Sequence, residues 1–276
     1  MKFMTKLMGT MLFAGLCFLA STPNVHAVSL WACDWGGNLY SVDASNASLG
    51  YIGNTGLSGL GALEFAPNGI LYGFTAGTGN LYKIDPNNAS TTLVGLLSPD
   101  FYFEGGLAFS PTGAAYGVNQ GDNGAPYLFS IDLNTRSATN IGQMGTGHDI
   151  NGIAWRSDGM LVGIDDNTNS LVTIDPNTAA LAHLADLGFT AGSIGGMTFS
   201  DIPDFGYFAT GTTGTNGLYS FDMFNGGNAF IGNFAALDPN GVSGLAASPV
   251  PEPATLGLMG LGLVGLALRR RKKSKA

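Results

Sequence analysis

One short phrase recurs five times through the middle of this chain: NLYSVDASN, NLYKIDPNN, YLFSIDLNT, SLVTIDPNT and GLYSFDMFN. The shared aspartates, Asp43, Asp85, Asp132, Asp175 and Asp222, stand 42, 47, 43 and 47 residues apart. Nine residues after each aspartate comes an apolar residue followed by a small one: Ile52-Gly53, Val94-Gly95, Ile141-Gly142, Leu184-Ala185 and Ile231-Gly232. A period of this length, kept five times, means that one supersecondary unit is stacked or arrayed, and no fold without that internal symmetry fits.

A second element lies between the phrases. GALEFAPNGILYGF, GGLAFSPTGAAYGV, NGIAWRSDGMLVGI and GGMTFSDIPDFGYFA each read as a strand, a turn and a strand. The turns are built around Pro-Asn-Gly, Pro-Thr-Gly or Ser-Asp-Gly, residues that supply tight-turn dihedrals. Each period therefore holds four short strands, which is the size of a β-propeller blade. The first period lacks its inner strand, because SLWACDWGGNLYSVD begins at the second. GVSGLAAS, Gly241 to Ser248, matches an inner strand and has no partner strands after it. Joined, the two ends complete a fifth blade. The expected fold is an all-β, five-bladed propeller closed by its N- and C-terminal strands, which removes exposed sheet edges. An open solenoid would need capping repeats, and none is visible.

Segments of a different kind flank the repeats. Lys2 and Lys6, the apolar stretch Leu7–Ala20 and the small-residue ending Val25-His26-Ala27 have the order of a secretory signal peptide, with cleavage expected between Ala27 and Val28. The expected domains are a signal peptide at 1–27, the propeller at 28–249 and a C-terminal segment at 250–276. The propeller region has Lys83, Arg136 and Arg156 as its bases, against sixteen Asp plus Glu64 and Glu104. Such a surface repels nucleic acid and anionic lipid. Cys33 is the one cysteine of that region, so neither an internal disulfide nor a cysteine-based zinc site is available to it.

The recurring aspartates are poor candidates for chemistry, because a catalytic residue is not needed once per blade. In Asp85-Pro86-Asn87 the carboxylate is placed to accept the backbone N–H groups ahead of it and set a turn. Function is expected instead in the loops that vary, those leading from an outer strand to the next inner strand and those joining second and third strands. In a propeller both sets surround one mouth of the central channel. Their polar and aromatic candidates are Tyr102, Glu104, Asp122, His148, Asp149, Asp165 and Asp166. Glu104 and Asp149 precede successive inner strands, which allows a carboxylate pair of the kind glycosidases use. No base in these loops stands ready to orient a substrate, and there is no serine elbow with a partner histidine. Asp165, Asn167 and Asn169 alternate as calcium-loop ligands do, but Ser170 stands where glycine is needed and the distal glutamate is missing, so an ordinary turn is favoured. No other metal or cofactor is expected.

The C-terminal segment reads Pro251-Glu252-Pro253, then Ala254 to Leu268 apolar or small, then a basic tail, 269–276, opening Arg269-Arg270-Arg271-Lys272-Lys273. As a transmembrane helix, 254–268 spans about 22 Å against about 30 Å of hydrocarbon, which is short for a permanent anchor. The basic cluster would stay on the cytoplasmic side. These three parts in this order resemble the PEP-CTERM sorting signal. The resemblance implies recognition by an exosortase, a membrane cysteine protease of double-membraned bacteria that make extracellular polysaccharide, and delivery of the trimmed protein to the cell surface or matrix. The blades also resemble, loosely, the Leu-Tyr-x-Ile-Asp repeats of other secreted propellers, without the tryptophan of quinone-binding repeats. The expected function is that of an exported surface or matrix protein whose propeller binds carbohydrate or another surface component without catalysis. The alternative is a secreted glycoside-acting enzyme with carboxylates at the channel mouth.

Overall fold

The computed structural model describes residues 29–97, 105–120, 124–156, 158–190, 194–199, 204–210, 216–234 and 241–248. Ala27, Val28, Tyr102, Glu104, Asp122 and the tail with Pro251, Glu252 and Pro253 lie outside them, as does the apolar segment 254–268. Among the described residues no helix is long and apolar enough to cross a membrane.

The described chain forms twenty strands in five antiparallel four-stranded sheets. Blade one contains β1 (Ser29–Asp34), β2 (Asn38–Asp43) and β3 (Leu49–Asn54), and its inner strand is the last of the chain, β20 (Val242–Ala247). Blade two is β4 (Leu60–Phe65), β5 (Leu71–Thr75), β6 (Asn80–Ile84) and β7 (Thr91–Leu96). Blade three is β8 (Leu107–Phe109), β9 (Ala115–Gln120), β10 (Pro126–Asp132) and β11 (Ser137–Gln143). Blade four is β12 (Ile150–Trp155), β13 (Leu161–Asp165), β14 (Ser170–Ile174) and β15 (Leu181–Asp186). Blade five is β16 (Ile194–Phe199), β17 (Phe205–Thr210), β18 (Gly217–Asp222) and β19 (Asn228–Asn233). The terminal strands close the ring as the repeat implies, with Leu30 opposite Ala247 and Ala32 opposite Leu245.

Burial falls from axis to rim: every residue of β4 is buried and none of β7 is. Five apolar clusters fill the spaces between neighbouring blades, so the core is a ring of interfaces. The hairpins between inner and second strands close on Gly69, Gly113 and Gly159, at φ of 80°, 90° and 88°, a region that glycine enters without a Cβ clash.

Both recurring motifs have one structural cause. In each blade the aspartate ends the third strand or directly follows it, and its Oδ1 accepts the N–H two residues ahead, at 2.8–2.9 Å: Ser45, Asn87, Asn134, Asn177 and Phe224. The fourth residue after it returns an N–H to the aspartate carbonyl and sits in the left-handed region: Ala47, Ala89, Arg136, Ala179 and Gly226, at φ of 60–73°. These hydrogen bonds, led by the Ser45 hydroxyl at Asp43 and by the backbone N–H elsewhere, hold all five carboxyls below their usual range.

The outer strand then carries a bulge, with Ile52, Val94, Ile141, Leu184 or Ile231 as the extra residue, packed against an interblade cluster. The small residue that follows lets the next blade's turn approach. A Cβ on Gly53 would lie 3.2 Å from Ala89 Cβ, one on Gly142 2.9 Å from the Thr178 carbonyl oxygen, and one on Gly232 2.5 Å from the Asn46 carbonyl oxygen. The nine-residue offset is thus the distance from a turn to the bulge that receives the neighbouring turn. The bulges also disrupt the free edges of the outer strands, which discourages pairing with other chains.

The axis is closed by a second ring of small residues. Each inner strand has one at the same aligned position, within the strand or, for β8, just before it: Ala62, Gly106, Gly152, Gly196 and Gly244. A Cβ on Gly106 would stand 2.4 Å from Ile153 N, one on Gly152 3.0 Å from Met197 Cβ, one on Gly196 2.5 Å from Leu245 N and one on Gly244 2.8 Å from Leu63 N. The remaining axial cavity is about 10 Å³, room for roughly one water.

Candidate functional site

Blade four breaks the symmetry at the mouth. Asp149 precedes β12 and Asp166 follows β13, and the Asp166 N–H donates to the Asp149 carbonyl at 2.9 Å. In blade four the two kinds of variable loop therefore meet at one end of the axis. Asn151, on β12 and lining the axial cavity, ties their side chains together. Its Nδ2 donates to Asp149 Oδ1 at 3.1 Å and to Asp166 Oδ2 at 2.9 Å.

Behind this pair lies Asp165, whose side chain is completely buried. Its Oδ1 accepts from the backbone N–H groups of Asp149 and Asn167, at 2.9 and 3.1 Å. Its Oδ2 accepts the Thr168 hydroxyl at 2.7 Å and lies 2.6 Å from His148 Nδ1. Burial is the largest influence on Asp165 and raises its pKa. The hydrogen bonds from His148, Asp149 and Thr168, with the charge of His148, outweigh it and leave the carboxyl below its ordinary value. Asp149 goes the other way: burial and then the negative charge of Asp165 raise it, against a smaller lowering by Asn151. Neighbouring carboxyls are thus driven apart in acidity. His148 is one-third exposed, and its Nδ1 is fixed by Asp165.

Of the candidates, His148, Asp149, Asp165 and Asp166 come together. Asp165 faces inward and positions the loops, and His148, Asp149 and Asp166 stand around it toward the mouth. Asp34 plays the same positioning part at the end of β1, accepting the Asn38 N–H at 2.9 Å and the Tyr40 hydroxyl at 2.9 Å. The segment with calcium-like spacing, Asp165 to Asn169, is a hairpin turn that blade two builds without carboxylates. Thr75 and Thr78 occupy the places of Asp165 and Thr168, the Ala76 N–H donates to the Gly59 carbonyl as Asp166 does to Asp149, and Gly79 and Asn169 are both left-handed at φ of 63° and 52°. No group of three or more His, Cys, Asp or Glu placed to hold a metal occurs among the described residues.

Two polar positions escaped the sequence reading. Asn151 is one, and it was visible in the aligned inner strands as the one large side chain in the row Gly61, Gly105, Asn151, Gly195, Ser243. The other is Glu64, at the opposite end of the inner strands, in the row Glu64, Ala108, Ala154, Thr198, Ala246. Glu64 is 7% exposed and accepts the Phe65 N–H at 2.9 Å and the Thr198 hydroxyl at 3.2 Å. Burial pushes its carboxyl well above the usual range, only partly offset by those two bonds. Cys33 is buried, with its thiol pushed up to about 12 mainly by burial, so it is no nucleophile.

Residues 249–272 match the PEP-CTERM protein-sorting motif. The chain carries a PEP-CTERM sorting signal. The signal marks the protein for export and membrane-associated sorting, and signals of this kind are recognised by exosortase. The propeller is similar in fold to a chain of the nidogen/laminin complex, with TM-score 0.53 and 11% identity, covering 80% of this chain and 98% of that one. It is likewise similar to a symmetrical protein from work on the de novo evolutionary emergence of such proteins, with TM-score 0.52 and 18% identity, covering 82% and 100%. At these identities the likeness concerns the fold alone. No curated protein matches the chain in sequence.

Proposed function

We propose that this is an exported surface or extracellular-matrix protein whose propeller is a non-catalytic binding module for carbohydrate or another surface component. Signal peptidase cuts after Ala27, the segment 254–268 holds the chain in the inner membrane, and exosortase cuts near Pro251-Glu252-Pro253 to free residues from Val28 onward. The reading is carried by one observation: Asp149, Asn151, Asp166 and His148 gather at the mouth of an axis that small residues close just beneath. A cluster of half-buried carboxylate and amide groups at the surface suits a hydroxyl-rich ligand.

Asn151→Gly tests the binding site, because glycine is the residue that blades two, three and five already have there. The variant is expected to keep its melting temperature within about 4 °C, from loss of side-chain hydrogen bonds worth about 1 kcal/mol. It should lose at least about tenfold in affinity on an extracellular-polysaccharide or glycan array, the ratio that about 1.4 kcal/mol represents. Equal binding by both proteins, or binding by neither, overturns the assignment.

A glycoside-acting enzyme is the second reading, and the favouring observation is the pair of mouth carboxyls, Asp149 and Asp166, that Asn151 holds together, with Asp149 raised by burial. Paired carboxyls are what acid and base roles require. Turnover of a glycoside that disappears in Asp149→Asn while binding persists would establish it.

The sorting step has its own test. Changing Pro251, Glu252 and Pro253 to alanine leaves the apolar segment and the basic cluster untouched, so insertion is expected to be normal while full-length protein accumulates in the inner-membrane fraction. Equal release of wild-type and triple-alanine protein into the medium would mean that the motif is only a linker.

A further inference from the structure

We infer that, while the tail is still in the membrane, the propeller is tethered to the bilayer at the face opposite the candidate site and its mouth is unable to face the lipid. The inference rests on reading 254–268 as membrane-inserted. Inner strands enter at the mouth and leave at the other face, so β20 delivers the chain to that other face beside the axis. There the Ser248 N–H donates to the Ser29 carbonyl at 3.0 Å, which brings the start of the described chain to the same spot. Both segments that engage the export machinery, 1–27 and 249–272, therefore attach at one point on one face.

Length then decides the orientation. Five residues, 249–253, separate Ser248 from Ala254. Fully extended, the six steps from Ser248 to Ala254 reach at most about 22 Å. To turn the mouth toward the lipid, the tether would have to cross from the inner to the outer strand, three spacings of about 4.8 Å, and then run the length of a six-residue strand, about 20 Å. That path is about 34 Å before side chains are counted. The mouth therefore cannot be pressed to the membrane, whereas the face with the inner hairpins Pro67–Gly69 and Pro111–Gly113 reaches it without strain. The partner of that face is a lipid surface, imposed by the tether. His148, Asp149 and Asp166 consequently stand open to ligand before the tail is cut as well as after.

The test uses the whole chain in a Cys17→Ser background, reconstituted into phosphatidylcholine vesicles without protease. Cys33 is buried and stays unlabelled. One fluorophore is placed at Thr112→Cys, exposed on the hairpin face, or at Thr146→Cys, exposed on the mouth loop. Spin-labelled lipid is expected to quench the label at 112 at least about threefold more than the label at 146. Inserting about 30 flexible residues after Ser248, with a mean reach near 30 Å and a much longer contour, should abolish most of that difference. Equal quenching at the two positions with the native linker, or stronger quenching at 146, overturns the orientation. Failure of the chain to float with the vesicles would instead remove the membrane reading on which it rests.

Discussion

Gly106→Ala is expected to lower the melting temperature of the propeller by roughly 2–12 °C, although it adds a single methyl group, just before β8 begins. The reason is where that methyl would go. Its carbon would lie 2.4 Å from the backbone nitrogen of Ile153 and 2.7 Å from Ile153 Cγ1, on the neighbouring inner strand. A side-chain tip can rotate away, but a backbone nitrogen in the middle of a strand cannot, so β8 and β12 must separate. Overpacking of this kind costs about 1–3 kcal/mol, and a domain of this size loses about 2–4 °C per kcal/mol. Because each small residue abuts the next blade around a closed ring, separation at one joint strains the others. Gly69→Ala is the control: Gly69 has φ of 80° and nothing within 4 Å of the added carbon, so its cost is the left-handed backbone alone, about 1–2 kcal/mol. Thermal unfolding followed by circular dichroism ranks the two. A Gly106→Ala protein that melts with or above Gly69→Ala would show that the axis has slack and that the glycines are not what closes it.

The same ring explains why so much of the fold was legible in the sequence. A propeller repeats its joints, so a residue needed at a joint recurs at the blade period. Asp43 and its four counterparts, and the pairs from Ile52-Gly53 to Ile231-Gly232, recur because every blade must make the same turn and receive the neighbour's turn in the same bulge. Closure was legible for the same reason: Gly241–Ser248 had the pattern of an inner strand and no blade of its own. The site is legible in the opposite way, as departure from the repeat. His148, Asp149, Asp165 and Asp166 stood out because their loops differ from the others. Their division of labour did not, since only the folded chain shows that Asp165 is sealed inside while Asp149 stays half-buried at the surface. Asn151 and Glu64 are hidden in the sequence because they sit within the regular inner strands, where one polar side chain changes neither the strand pattern nor the spacing of the turns.

Glu64 supplies the second large effect, and its sign follows from its burial. Its folded-state pKa is raised well above the ordinary 4.5 by loss of solvent, with the Phe65 N–H and Thr198 hydroxyl as insufficient compensation. Below about pH 4.5 the folded and unfolded chains both hold the proton, and the full contribution of the neutral carboxyl is present. As the pH rises, the unfolded chain releases the proton first while the folded chain keeps it, so stability falls by about 1.4 kcal/mol per pH unit until the folded pKa is passed. Glu64→Gln removes this titration and keeps the shape, with an amide oxygen to accept the Phe65 N–H. The variant and wild type should therefore melt nearly together at pH 4.5. By pH 6.5 the variant should melt above the wild type, by an amount that grows with pH until the folded carboxyl ionises. The five turn aspartates, whose pKa values are lowered, contribute the opposite slope, gaining stability as pH rises through their range, but they do so equally in both proteins and cancel in the difference. Melting curves of the pair from pH 4 to 8 measure that difference directly. A gap that is constant with pH would mean that Glu64 titrates alike in both states, and that its carboxyl finds in the folded axis a solvation as good as water's.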